Sequence, residues 1–112
     1  MSKKFLRKNE FRFDNNPAHS GRDKQSHPAY ITARYGHKYK ANSITHSRYT
    51  TDGRKTYPIL ENPNKKSRDK RETRISPPFW QNEKLFSEIR LDNFRFSKKT
   101  RSDVRKFNKR FK

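Results

Sequence analysis

The sequence contains no cysteine, only three glycines and a single methionine among its 112 residues. The absence of cysteine excludes disulfide bonds and any thiolate metal site. Acidic residues are also scarce: 11 Asp and Glu stand against 30 Lys and Arg, which gives a formal charge of +19. The chain has no apolar run long enough to span a bilayer. We therefore expect neither a disulfide framework nor a transmembrane segment.

Aromatic residues are the main apolar material of the chain. Hydrophobic residues make up only 27% of the sequence, but the chain has nine Phe, five Tyr and one Trp. That aromatic share is high for a disordered polycation, so we expect part of the chain to pack around a small core. The length suits one domain. The composition predicts a basic, partly disordered arm over residues 1–27 and one small domain over residues 28–112.

The excess of positive charge predicts a polyanionic partner. Self-repulsion on this scale opposes compaction unless counter-charge comes from outside the chain. Phosphate backbones are the commonest dense source of negative charge, and each contacted phosphate releases bound counterions. We therefore predict that the protein binds nucleic acid, with RNA favoured over DNA. An acidic protein is the alternative partner. We expect no membrane partner, because only the C-terminal residues approach a basic amphipathic helix.

The N-terminal residues show no signal for export. Residues 1–8 are basic and lack an apolar run of the length that signal peptides have. The sequence therefore predicts a cytoplasmic protein.

The sequence predicts a β-hairpin near its middle. Residues 29–35 and 39–46 are rich in aromatic and β-branched residues, and Gly36 lies between them. Residues 47–71 contain several turn formers. They end in a run of charges over residues 65–71, which predicts a charged surface loop. Residues 72–80 could supply another strand, which the two prolines within them limit to an edge position or force to end.

The register of this hairpin depends on the length of its loop. A two-residue loop would pair Tyr35 with Lys38 and would mix Ile31 with Asn42 on one face. A three-residue loop pairs Tyr35 with Tyr39 and separates an apolar face from a polar one. A slip of one residue moves every side chain to the other face, so we predict the three-residue loop.

The C-terminal segment predicts a basic α-helix over residues 98–110. Ser97 is a suitable N-cap, and cations late in the helix suit its dipole. One stripe repeats at the spacing of a helix face and contains Thr100, Val104, Phe107 and Phe111.

Aromatic and cationic residues alternate in the hairpin, and this pattern suggests contacts with nucleic acid. Bases stack on tyrosine rings and arginine planes, while cations follow the phosphates. The alternative is that Tyr35 and Tyr39 are core residues and the cations are only solvated. The predicted nucleic-acid-binding residues are Tyr30, Arg34, Lys38, Lys40, Arg48, Arg68, Arg71, Arg101, Arg105 and Lys109.

The four histidines do not suggest a metal site. No pair has the short helical spacing of a zinc site, and no cysteine or carboxylate cluster accompanies them. We therefore expect no metal and no other cofactor. In the predicted hairpin, His27 and His46 lie at the same end, where one of them could serve as an acid or base toward a ribose 2′-hydroxyl. The alternative is that both are exposed polar side chains.

The end of the second predicted strand gathers several polar groups. Thr45, His46, Ser47 and Arg48 bring together two hydroxyls, an imidazole and a guanidinium. Such a set could bind a scissile phosphate, with the guanidinium neutralising the charge that develops during cleavage. The same residues could equally be a strand that ends in a turn.

Residues 25–32 and 40–47, joined by a short turn, resemble the opening hairpin of the MazF/PemK family of endoribonuclease toxins. Residues 74–80 resemble the family's later strand, and the terminal helix falls where the family has one. The resemblance covers roughly residues 21–111. It implies an α+β fold: a small SH3-like open β-barrel, here with a basic C-terminal helix and a flexible basic N-terminal arm. It also implies metal-independent cleavage of single-stranded RNA, a homodimer and neutralisation by an acidic antitoxin.

The resemblance also assigns candidate catalytic residues. Thr45 matches the family's strand-end threonine, Arg74 matches its later-strand arginine, and His27 stands where the family often has arginine. With His46 as a second possible base, the predicted catalytic residues are Thr45, Arg74, His27 and His46. The acidic residue that some members carry after the later-strand arginine has no counterpart here, since Ile75 follows. The family fold could therefore be kept without the family chemistry.

Three functional hypotheses follow. The first is a small basic nucleic-acid-binding protein that is a diverged PemK-like endoribonuclease toxin. The second is a non-catalytic DNA- or RNA-binding accessory or inhibitor protein of a mobile element or a ribonucleoprotein complex. The third is an interaction protein for an acidic partner. Positive charge favours binding to nucleic acid in the first two, whereas cleavage rests on the resemblance alone.

Overall fold

The computed structural model describes residues 6–19 and 26–111. Within these residues there are six strands, one α-helix and two short 3-10 turns, at Pro17–His19 and Glu83–Leu85. The elements are β1 (Phe11–Asp14), β2 (His27–Tyr35), β3 (Lys38–Thr45), β4 (Tyr57–Ile59), β5 (Thr73–Ile75), β6 (Phe79–Asn82) and α1 (Lys98–Asn108). Within the two described ranges, no helix is both long and apolar enough to cross a bilayer.

The predicted α+β class is confirmed: an antiparallel sheet packs with one helix. The strand order is β1-β2-β3-β5-β4, and β6 also pairs with β3. One edge of β3 pairs with β2, while β6 and β5 share its other edge at Lys38–Ala41 and Ile44–Thr45. Pro77 and Pro78 lie between β5 and β6. Because proline cannot donate to a strand ladder, the predicted strand over residues 72–80 is divided into two.

The hairpin is confirmed, but its predicted three-residue loop is wrong. Tyr35 pairs with Lys38 across a two-residue loop. Gly36 opens that loop with a left-handed φ of 61°, which glycine adopts without strain. An irregularity between Ile31 and Ala33 then shifts the register by one residue, so that Ile31 pairs with Ala41. This bulge separates the apolar face of the hairpin from its polar face. The prediction had explained the same separation by a three-residue loop.

Ordered structure also begins earlier than the predicted Pro28. Strand β1 lies inside the predicted arm and pairs with β2, with Phe11 opposite Tyr30. The Phe11 side chain is fully buried. The boundary at residue 28 is therefore wrong, because β1 belongs to the sheet of the domain. Residues 1–5 and 20–25 of the predicted arm lie outside the described residues.

Residues 47–71 also contain a strand that the sequence did not predict, although no strand or helix lies in the predicted charged loop over residues 65–71. β4 pairs with β5 through three residues, with Tyr57 opposite Ile75. The ring of Tyr57 packs at 5.1 Å from that of Phe107 on α1. This short strand escapes detection in the sequence because only contacts with β5 and α1 give it a buried side.

The core consists of two apolar clusters. The first joins the sheet to α1 and contains Phe11, Tyr30, Ile44, Ile75, Phe96 and Val104. The second is built around Tyr39, which is fully buried, and contains Ala29, Ile31, Tyr39, Ala41 and Phe86. Tyr30 and Ile31 are consecutive in β2 but belong to different clusters, as expected when successive side chains of a strand point to opposite faces. The sheet therefore buries apolar side chains on both faces.

The helix docks on β3 through a buried pair of amides. Asn42 Nδ2 donates to Asn108 Oδ1 at 2.8 Å, and Asn108 Nδ2 donates back to Asn42 Oδ1 at 3.0 Å. Asn42 Nδ2 also donates to the backbone oxygen of Ser76 at 3.0 Å. Because an unpaired amide in a core is costly, this pair fixes the position of α1 on the sheet.

Both ends of α1 can be compared with the prediction. Ser97 is the N-cap, as predicted, and its hydroxyl accepts a hydrogen bond from the backbone nitrogen of Thr100. The helix ends at Asn108, two residues before the predicted residue 110. Glu61 supports the start of the helix, because its Oε1 accepts hydrogen bonds from the backbone nitrogen and the hydroxyl of Ser97, both at 3.0 Å.

The carboxylate of Glu61 is held in its charged form. Burial alone would raise its pKa, but hydrogen bonds from Lys65, Thr100 and Ser97 outweigh that effect and lower the pKa from 4.5 to about 2. Lys65 Nζ donates to Glu61 Oε2 at 2.6 Å. The charged carboxylate of Glu61 is therefore more stable in the folded protein than in the unfolded chain. At pH values above its unfolded pKa of 4.5, Glu61 stabilises the fold.

We expect Glu61→Gln to lower the free energy of unfolding at neutral pH by about 1 kcal/mol, the scale of a lost N-terminal helix contact. The difference between wild type and variant should be full above pH 4.5 and should disappear as the pH falls through about 2. Urea unfolding at several pH values measures it. A difference that does not change with pH would show that the charge of Glu61 is not what stabilises the helix.

Candidate nucleic-acid interface

A groove of about 520 Å³ runs between α1 and the strands β2 and β3. Its walls also include residues from the segment that precedes β1. Half of the ten lining residues are cations, namely Lys8, Lys40, Arg101, Arg105 and Lys109. Among the described residues, no carboxylate belongs to this lining. The groove is therefore a concentrated positive site rather than one part of an evenly mixed surface.

α1 together with its C-cap residue Lys109 supplies three of these cations, because the helical spacing continues to the cap. Arg101, Arg105 and Lys109 are spaced four residues apart, so they lie along one side of α1. The neighbouring stripe contains Thr100, Val104 and Asn108, which are buried against the sheet. Docking of that stripe turns the row of cations toward β3, which contributes Lys40.

Arg101 contains an unsatisfied buried donor. Its Nε is buried and is the one buried side-chain nitrogen or oxygen in the described part of the chain that has no hydrogen-bond partner. A buried donor of a charged group is costly when unpaired, and native proteins rarely leave one so. Because this atom is not accessible to solvent, an anion in the groove would meet the other donors of the Arg101 guanidinium rather than the Nε.

Tyr30 forms the floor of the groove beside these arginines. Its hydroxyl donates a hydrogen bond to Asn9 Oδ1, and its side chain is almost fully buried. Burial raises the pKa of Tyr30 to about 12, although the charges of Arg101 and Arg105 act in the opposite direction. The phenol is therefore neutral at physiological pH and adds no negative charge to the groove.

Half of the predicted nucleic-acid-binding residues meet in this groove: Tyr30, Lys40, Arg101, Arg105 and Lys109. Arg34 and Lys38 lie near the tip of the hairpin, where both are exposed. Arg48, Arg68 and Arg71 are exposed in loops and line no part of the groove. Arg71 forms an ion pair with Asp69 at 2.6 Å, and its hydrogen bonds lower the pKa of that carboxyl group.

Five lining residues were not predicted from the sequence: Lys8, Asn9, Thr32, Ala33 and Asn108. Lys8 and Asn9 are the two that come from outside the predicted domain. Both precede β1, in the segment predicted to be an arm. Asn9 has a left-handed φ of 70°, and its backbone nitrogen donates to the carbonyl of Ile31 at 2.8 Å. This contact draws the segment onto β2 and places Lys8 at the groove. An Asn next to a Lys is a weak signal, so the sequence alone could not have identified them.

Two of the predicted catalytic residues face each other across neighbouring strands. Thr45 of β3 pairs with Arg74 of β5. The guanidinium of Arg74 is already engaged: Nε and one Nη donate to the hydroxyl and carbonyl of Thr56, and the other Nη donates to Glu72. Three of its five N–H donors are therefore used within the protein. Phosphate binding there would compete with the bonds that connect Arg74 to Thr56.

The two predicted histidine bases lie in different surroundings. His46 follows β3 next to Thr45, and its Nδ1 lies 3.1 Å from the carbonyl oxygen of Glu72. Its Nε2 lies 3.5 Å from Asp69 Oδ2. His27 begins β2, where it pairs with Asp14 of β1. The structure thus groups Thr45, Arg74 and His46 at one strand end, with each ring or guanidinium already in contact with protein oxygens.

The buried carboxylate of Asp14, which lies outside the groove, has a structural role. Asp14 Oδ1 accepts from Gln81 Nε2 at 2.9 Å, and Asp14 Oδ2 lies 2.7 Å from Nδ1 of His19. Gln81 in turn accepts from the side chain of Asn16. This network connects β1 to β6.

No group of three or more histidine or carboxylate side chains within residues 6–19 and 26–111 is placed to hold a metal ion.

With the fold and groove described, comparison with known proteins finds no matching protein family, curated protein or solved structure. The resemblance of the hairpin to the MazF/PemK family therefore stays a prediction.

Proposed function

We propose that the protein binds nucleic acid, RNA in preference to DNA, by placing a run of backbone phosphates in the groove between α1 and the sheet. The observation that carries this proposal is the groove itself, which is lined by five cations and, among the described residues, by no carboxylate. A phosphate oxygen is an acceptor of the required charge, and guanidinium groups bind phosphates through two parallel hydrogen bonds. The phosphates bound in the groove would then neutralise part of the chain's net charge of +19.

The groove residues would divide the work of binding. Arg101 and Arg105 would donate paired hydrogen bonds to phosphates near the centre of α1. Lys8, Lys40 and Lys109 would act as point charges around them, which fix the path of the backbone without reading its sequence. Because such contacts release counterions, binding would depend strongly on salt.

The preference for RNA and the finer description of the fold belong to the same proposal. Exposed aromatic side chains on the sheet suit unpaired bases, which are the usual targets of proteins that recognise RNA. An SH3-like open barrel is supported by β3, which pairs with β5 and β6 at two different parts of one edge. A sheet that divides in this way bends along β3, as strands of small open barrels do.

RNA cleavage is not included in the proposal. Its candidate residues lie at the strand end of Thr45 and Arg74, and neither residue lines the groove. The donors of Arg74 are already directed to Thr56 and Glu72. Binding in the groove requires no chemical step.

We expect labelled single-stranded RNA to bind with an affinity that falls steeply as salt is raised. If all five groove cations contact phosphates, the slope of log affinity against log salt should be about −3.5. Fluorescence anisotropy at four or more salt concentrations measures the slope, with the matching DNA strand as a second arm. Affinity that stays constant with salt, or an acidic protein that excess RNA cannot displace, would contradict the proposal.

A further inference from the structure

Three aromatic side chains on the described strands of the sheet are exposed outside the groove. Tyr35 is 81% exposed at the end of β2, and Trp80 is 49% exposed on β6. Tyr39, between them in sequence, is fully buried in the second cluster. Phe13 on β1 is 38% exposed, so Tyr35 and Trp80 are the two most exposed rings on the described strands.

The strand register places both rings beside lysines. Tyr35 pairs with Lys38 across the hairpin, and Trp80 pairs with Lys40 across β3 and β6. Cross-strand partners lie side by side on one face, and Lys38 and Lys40 are two residues apart on the same strand. All four side chains therefore belong to one face, which we name the aromatic–lysine patch (Tyr35, Lys38, Lys40 and Trp80).

The patch continues the groove. Lys40 both lines the groove and pairs with Trp80, so Trp80 lies one strand spacing, about 4.8 Å, from a groove residue. On its other side Trp80 borders a second cavity of about 470 Å³, together with Lys38 and Arg54. Arg54 is partly neutralised by Asp52, whose oxygen lies 3.2 Å from its Nε, so Lys38 is the main positive charge on that side.

We propose that the aromatic–lysine patch is a stacking platform for unpaired bases, so that the protein selects single-stranded over double-stranded nucleic acid. The inference rests on the proposed function, because the groove holds the backbone whose bases reach the patch. Aromatic rings separated by cations match a strand in which exposed base faces alternate with phosphates. The bases of a duplex are stacked on each other and present only their edges, so a duplex would bind the groove but not the patch.

Trp80 is the only tryptophan of the chain and reports directly on the patch. We expect its fluorescence to be quenched when a labelled single-stranded oligonucleotide is added, in step with the rise in anisotropy of the label. A hairpin duplex of the same composition should raise the anisotropy with little quenching. RNA and DNA versions of both probes separate a preference for the sugar from a preference for unpaired bases.

The variant Tyr35→Ala/Trp80→Ala tests the platform by affinity. It should lower affinity for the single strand by roughly thirtyfold, since each lost stacking contact costs about fivefold or more, and should leave duplex affinity within about twofold. Tyr49→Ala is the matched control, because Tyr49 is also exposed, at 63%, and lies outside the patch. Circular dichroism checks that the variants are folded.

The outcomes separate this inference from the proposed function. Equal losses for single strand and duplex, or saturated binding with unchanged Trp80 emission, would overturn the platform while leaving the groove as the binding site. No change of anisotropy with any probe at low salt would overturn both. A selective loss of single-strand affinity together with quenching in the wild type is the result that the platform predicts.

Discussion

The variant Arg101→Gln/Arg105→Gln is expected to bind single-stranded RNA about a hundredfold more weakly than the wild type. Each arginine would lose at least one hydrogen bond to a charged phosphate, which contributes about 1.5 kcal/mol at the lower end of the usual range. The two losses together amount to about 3 kcal/mol, or about a hundredfold in affinity. The salt dependence should weaken as well, with the slope of log affinity against log salt decreasing by about 1.4 because two phosphates are no longer neutralised. Anisotropy titrations at matched salt concentrations measure both quantities.

The control for this experiment is Arg68→Gln/Arg71→Gln. It removes the same number of charges from an exposed loop that does not line the groove. If affinity follows net charge alone, the two double variants should be equally impaired, and the groove would then have no special role. If the groove is the binding site, the loop variant should lose only a small part of its affinity. Glutamine is the replacement because its helix propensity is close to that of arginine.

The second large effect is expected from Asn42→Ala, which should lower the free energy of unfolding by about 3 kcal/mol. The change removes three hydrogen bonds and leaves the amide of Asn108 and the carbonyl of Ser76 buried without partners. Because α1 and its C-cap carry three of the groove cations, affinity for RNA should fall with the loss of helix docking. Urea unfolding followed by circular dichroism measures the change in stability.

A double-mutant cycle separates the amide pair from general packing. Asn108→Ala breaks the same pair from the helix side, and the double variant leaves no unpaired amide at this point. The double variant should therefore be less destabilised than the sum of the two single variants, by about 1 to 2 kcal/mol. Strict additivity would show that Asn42 and Asn108 stabilise the protein independently, and would contradict the role assigned to their contact.

Local sequence signals predicted the helix and its cap. Ser97 and the stripe that includes Thr100 and Val104 lie within a few turns of each other, so the pattern is complete in the sequence. The row of cations that faces β3 could be found for the same reason, since Arg101, Arg105 and Lys109 follow helical spacing. Half of the predicted nucleic-acid-binding residues lie in the groove because the helix and its C-cap contribute three of them.

The hairpin register and the first strand depend on contacts distant in sequence. The bulge between Ile31 and Ala33 lets Ile31 share a face with Tyr39 and Ala41, and that arrangement depends on packing against Phe86 in the second cluster. β1 is only four residues long and contains Arg12, so its sequence pattern is typical of a charged arm. Its guanidinium is satisfied by the backbone oxygens of Ser87 and Glu88, more than 70 residues away.

These distant contacts also explain the missed part of the site. Lys8 and Asn9 reach the groove because β1 and the preceding residues pack on β2. Trp80 comes beside Lys40 because the two prolines end β5 and allow β6 to pair farther along β3. A sequence pattern shows which residues can contact nucleic acid, whereas strand pairing decides which of them share a face.

The most direct test is to locate bound RNA on the protein by backbone amide chemical shifts during titration with a short single strand. Binding in the groove predicts that the largest changes occur along α1 and at the facing residues of β2 and β3, with Arg101 among them. Changes concentrated in the loop that carries Arg68 and Arg71, or spread evenly over the surface, would contradict the assignment of the groove as the binding site.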